Sequence, residues 1–102
     1  MKKIINGKKY DTETATEIAT QTNGVSYSDF RYVIEILYQK KTGEYFLYGE
    51  GGPLTKYAES AGDNSWRGGK VITPFSEKEA KIWCEMNLDV DEYEEIFGEV
   101  EE

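Results

Sequence analysis

Phe30-Arg31-Tyr32-Val33-Ile34-Glu35-Ile36-Leu37-Tyr38-Gln39-Lys40-Lys41-Thr42-Gly43-Glu44-Tyr45-Phe46-Leu47-Tyr48 decides the fold. Phe30 to Tyr38 is β-branched and aromatic throughout, the composition of a strand. Phe30, Tyr32, Ile34, Ile36 and Tyr38 fall on one face by period two; Arg31, Val33, Glu35 and Leu37 fall on the other. Lys40-Lys41-Thr42-Gly43 is a hairpin loop with Gly43 placed for positive φ. Glu44 to Tyr48 returns as the second strand.

Outward from this hairpin, Lys2–Ile5 and Lys8–Tyr10 flank Asn6-Gly7, a dipeptide suited to a type I′ turn. Asp11 or Thr12 caps an expected helix to about Thr22, with Ala15, Ile18 and Ala19 on one face. Asn23-Gly24 supplies its left-handed end. Gly49 to Gly69 holds six of the ten glycines and Pro53, and reads as a long loop pinned by Leu54, Tyr57, Ala58 and Trp66. Lys70–Thr73 is a third main strand. Ser76-Glu77-Lys78-Glu79 is a capping box opening a helix to about Asn87. A second helix runs from Asp91 to Phe97, with Gly98 as its stop. The expectation is an α+β fold: one domain over residues 1–98, a small antiparallel sheet carrying both hairpins and the third strand, helices packed on it, and an acidic tail over 99–102.

The chain has 102 residues and a net charge of -8, from 20 acids against 12 bases. Met1 to Leu88 carries twelve of each and is formally neutral. Asp89, Asp91, Glu92, Glu94, Glu95, Glu99, Glu101 and Glu102 hold the entire excess, with no Lys or Arg among them. Direct binding to nucleic acid or an anionic membrane is disfavoured, since both need a cationic footprint. There is no His and only one Cys. Ser-His or Cys-His nucleophile pairs, Cys-rich metal sites and intrachain disulfides are excluded. No apolar run approaches the ~18–20 residues of a membrane span. The chain reads as cytoplasmic, without cofactor or metal.

Catalysis without His would fall to carboxylates, Lys or Tyr. Glu35, Glu44 and Glu50 lie on or beside the central hairpin and read as ordinary strand-surface groups, so no enzyme activity is expected. Gly49 to Lys56 lacks the Walker spacing, and Pro53 removes an amide donor. Asp89-Val90-Asp91 opens like a calcium loop but puts Tyr93 and Glu94 where an oxygen ligand and Gly belong. Cys84, on an apolar helix face, reads as an inert buried thiol. Trp66 reads first as a plug for its loop and second, with Tyr57, as an apolar anchor for a partner.

The terminal acids are the strongest candidate. Asp89, Asp91, Glu92, Glu94 and Glu95 span six residue steps, about 9 Å of helix at ~1.5 Å per residue. That is one charge per roughly 1.8 Å, against ~1.7 Å for duplex DNA. A solvated helix face that aids solubility is the plainer reading. The alternative is a decoy for a protein that binds nucleic acid through a basic groove.

Three stretches carry a resemblance: Ile5 to Ala15 (INGKKYDTETA), Leu37 to Tyr57 (LYQKKTGEYFLYGEGGPLTKY) and Asp91 to Glu99 (DEYEEIFGE). They resemble a family of short acidic proteins carried by phages and conjugative elements of Gram-positive bacteria, some of them grouped with anti-CRISPR inhibitors. The resemblance brings no catalytic motif. It implies a non-enzymatic protein that blocks a host CRISPR-associated nuclease, or a similar DNA-binding complex, through Asp89, Asp91, Glu92, Glu94, Glu95 and Glu99, with Trp66 and Tyr57 as apolar anchors. The alternative is a regulatory or scaffolding module that contacts a phage or conjugation protein through Tyr45, Tyr48 or Tyr57.

Overall fold

The computed structural model describes residues 1–102. It is an α+β fold of eight strands and two helices: β1 (Lys2–Ile5), β2 (Lys8–Asp11), β3 (Thr16–Thr22), β4 (Val33–Gln39), β5 (Tyr45–Gly51), β6 (Glu59–Gly62), β7 (Ser65–Arg67), β8 (Gly69–Phe75), α1 (Glu77–Asn87) and α2 (Val90–Phe97).

The central hairpin forms, with β4 and β5 paired antiparallel from Val33↔Gly51 to Gln39↔Tyr45; its first strand starts at Val33 rather than Phe30, which lies in the preceding turn, and its second extends past Tyr48 to Gly51. β8 pairs with β5 and β3 with β4, giving the order β3-β4-β5-β8. The period-two reading divides this sheet correctly. Leu37 and Leu47 face the helices and pack with Ala80, Trp83 and Cys84. Phe46 and Ile72 face the other way and pack with Tyr10. There the Tyr10 ring meets Phe46 edge-on at 5.5 Å, and Tyr38 stacks on Phe46 at 5.1 Å.

Two arrangements differ from the sequence reading. The helix expected from Asp11 or Thr12 to Thr22 is strand β3. Ala15 donates to the Asp11 carbonyl at 3.1 Å, so one helical turn starts, and then the chain extends. Thr14, Thr16, Thr20 and Thr22 are β-branched and favour the extended form, and β4 offers a full ladder of partners. Ala15, Ile18 and Ala19 were too small a face to outweigh that. Asn23, expected to end a helix, instead locks the β3–β4 loop: its amide donates to the Arg31 carbonyl at 2.7 Å and its Oδ1 accepts from the Val33 N–H at 3.1 Å.

The N-terminal hairpin is also a separate two-stranded sheet, not part of the main one. Its Asn6-Gly7 turn has φ of 51° and 77°, as type I′ requires. It covers the sheet face opposite the helices through Tyr10. The main sheet is therefore covered on both faces, by a hairpin on one side and helices on the other.

The glycine-rich stretch is not one loop. It contains a turn, the hairpin β6–β7 and the start of β8. Every residue of β6–β7 is exposed, and Trp66 at its end is 61% exposed, so it does not plug the core. Tyr57 does. A Cβ at Gly49 would run into the Tyr57 ring, which explains a glycine in mid-strand.

Candidate functional site

α1 and α2 follow each other with only Leu88 and Asp89 between them. Both open with full capping boxes: Ser76 with Glu79, and Asp89 with Glu92. The Asp89 carboxylate accepts from the Glu92 N–H at 2.8 Å, and Glu92 accepts in return from the Asp89 N–H at 3.4 Å. These acids therefore form the local signal that starts α2. Gly98 ends it at φ 91°.

Tyr93, Ile96 and Phe97 pack against the core beside Trp83 and Cys84. At 3.6 residues per turn, that sets Asp91 and Glu95 on the opposite, outward face, with Glu92 and Glu94 flanking them. Asp91, Glu92, Glu95 and Glu99 are exposed and Glu94 half-buried. The tail turns back on α2, where the Val100 N–H donates to Glu94 Oε2 at 2.9 Å.

Six ion pairs form in the chain, and none uses a residue from Asp89 to Glu102. Lys8, close to the N-terminus, pairs with Glu44 at 2.9 Å instead. The last turn of α2 carries Glu94 and Glu95 and no basic residue, the wrong sign for a helix C-terminus. The acids surround α2 on its exposed sides: Glu92 and Glu95 border β3, Asp89, Glu94, Glu101 and Glu102 lie together on the other flank, and no ion pair reaches any of them. No three carboxylates or thiols converge as a metal-binding group.

The other sequence-named residues sit elsewhere. Tyr57 lies over β5, away from α2, with its hydroxyl donating to Glu35. Trp66 stands exposed on β7; Tyr27 and Phe30 of the β3–β4 loop are exposed as well. Tyr45 and Tyr48 are half-buried in the sheet, so the aromatics open to solvent are not those of the central hairpin.

Sequence reasoning missed three buried carboxylates: Asp11, expected as a helix cap, Glu35 and Glu50. Glu35 and Glu50, taken for strand-surface groups, are each 8% exposed. Glu35 accepts from the Tyr57 hydroxyl, from Trp83 Nε1 at 3.1 Å and from Lys56 Nζ at 2.8 Å. Burial pushes its carboxyl up, but Lys56, Tyr57 and Trp83 together outweigh burial and leave it below the usual range. Glu50 accepts from Tyr48 and, at 2.9 Å each, from Tyr27 and Tyr32. Its carboxyl is also lowered, burial again being overcome by the hydroxyls. The signal was present: Glu35 shares the face of Leu37, and Glu50 shares that of Phe46 and Tyr48.

A cavity of about 550 Å³ opens beside Glu35, Lys56 and Tyr57. Carboxylate and Lys do converge there, yet Glu35 is saturated with donors and held ionised. A general acid or base works best with a pKa near the working pH; Glu35 is a clamp that holds the loop to the sheet and to α1. Cys84 is fully buried, and burial pushes its thiol up to about 11, away from reactivity. No helix is long and apolar enough to cross a membrane. No known protein family, curated protein or solved structure matches the chain.

Proposed function

We propose that the protein is a non-enzymatic, cytoplasmic inhibitor that offers its acidic C-terminal surface to the basic nucleic-acid groove of a host nuclease of the CRISPR-associated kind. One observation carries this reading: eight acids in fourteen residues, none neutralised within the chain. Like charges four apart on a helix, as at Asp91 and Glu95, destabilise it by a few tenths of a kcal/mol. Cationic charge from a partner relieves that repulsion. Arg and Lys of a nucleic-acid groove supply it, with fast and salt-sensitive association. The resemblance to short acidic proteins of mobile elements supports the same setting.

The test compares the parent protein with one carrying Asp91→Asn, Glu92→Gln, Glu94→Gln and Glu95→Gln. Gln keeps the capping box at Glu92, so α2 survives. Inhibition of the nuclease that the protein captures from host cytosol is measured across a salt series. The variant is expected to lose about tenfold or more in affinity and to show a shallower salt dependence. Equal potency removes the acids from the mechanism.

A further inference from the structure

β3 is the outermost strand of the main sheet and bonds to β4 alone. On its other side, the backbone groups from Thr16 to Gln21 meet no protein partner. An unpaired edge of this kind is a template for another strand. The opposite edge, β8, carries Lys70 and Pro74, two devices that discourage pairing. β3 contains neither Lys, Arg nor Pro.

A groove of about 410 Å³ runs along this edge, between β3 and α2. Ile18, Ala19 and Leu88 give it an apolar part, and Glu17, Glu92 and Glu95 line its rim. None of these three carboxylates is in an ion pair. A second copy is a poor occupant: each chain carries -8 and would bring its own acid block to the contact. An acidic strand would be repelled, and a wholly apolar one would leave the rim without counter-charge.

We propose that the outer edge of β3 receives an extended basic segment of a partner protein as a fifth strand, with Lys or Arg side chains on its α2 side directed to the Glu92–Glu95 rim and others on its opposite side directed to Glu17, which pairs with Tyr38. Main-chain bonds along β3 supply register, and the period-two side chains supply selection. This rests on the proposed function only in giving the α2 acids a basic partner.

The probe is an acetylated, amidated heptapeptide of Lys and Val in alternating pairs, which presents Lys on both faces of the strand, titrated into the isotope-labelled full chain and followed by amide shifts and hydrogen exchange. Slowed exchange on β3, and affinity about tenfold weaker for Glu17→Lys, are expected. The same peptide N-methylated along one edge lacks the donors and is expected not to bind. Equal binding of the N-methylated peptide overturns the inference, as does a β3-paired dimer that the peptide leaves intact. A peptide that ignores β3 while nuclease inhibition still depends on the α2 acids overturns it and leaves the proposed function standing. Binding at β3 that depends on Glu17, with inhibition indifferent to the α2 acids, supports it and removes the decoy.

Discussion

Glu35 and Glu50 are the residues whose environments say most. Each is a carboxylate on the central hairpin, and each is buried with donors on nearly every side. Tyr57→Phe removes one donor from Glu35 and is expected to cost about 1.5–3 kcal/mol, the range for a hydrogen bond to a charged group; a urea melt reads it. Gly49→Ala acts on the same clamp from below, because its Cβ displaces the Tyr57 ring. Overpacking of this kind costs about 1–3 kcal/mol, and adding Tyr57→Phe should cost less than the two losses summed. pH dependence follows from the same groups. Glu35 and Glu50 are lowered from 4.5, and exposed Glu44, held by Lys8, is lowered to about 2. Groups lowered on folding contribute stability above their unfolded values and lose it as pH falls. Stability should therefore hold at neutral pH and decline from about 4.5 towards 2, in a denaturant series read at each pH. At the alkaline end, Tyr32, Tyr48 and Tyr57 are raised above 10 by burial and by their carboxylate partners, so their contribution is present below 10 and fades above it.

At the scale of elements, what the sequence revealed was what local chemistry controls. The Asn6-Gly7 turn, the Lys40–Gly43 loop and both helix starts carry their own signals within four residues. Ser76→Ala should cost about 1 kcal/mol, measured by thermal melting. Asp89→Ala should cost a similar amount and fray α2, whereas Asp89→Asn keeps the cap; far-ultraviolet circular dichroism separates the two. β3 was not legible in this way. Ala15, Ile18 and Ala19 fall at helix spacing while Thr16, Ile18, Thr20 and Thr22 are β-branched, and the choice fell to the open ladder of β4. Trp66, expected with Tyr57 to pin its loop, is exposed for a related reason. Both are aromatics in glycine-rich surroundings, and only the gap over Gly49 decides which one turns inward.

At the scale of the whole molecule, the charge is the leading feature. Fourteen of 102 residues are buried, so the free protein has little stability to spare for self-repulsion. Neutralising Glu94 and Glu95 alone, in the last turn of α2, should raise the melting temperature of the free protein by about a degree or two in low salt, since acids there oppose the helix dipole, whereas Asp91 and Glu92 in the first turn favour it. A fall would mean that these acids hold the fold. The molecule is also extended, 51 × 33 × 20 Å with a radius of gyration of 15.1 Å, against ~13 Å for a compact domain of this length. Its three sheets do not merge, and β6–β7 stands clear with Trp66 exposed. The sequence by itself determined the α+β class, the central hairpin, the two capped helices and the segregation of charge, because turns, caps and residue counts are local properties. Only the tertiary structure decided that Thr16–Thr22 is a strand, that Glu35 and Glu50 are interior, and that no Lys or Arg returns to the terminal acids. Those outcomes depend on which distant groups meet, and a pairing across the chain leaves no mark within any one segment.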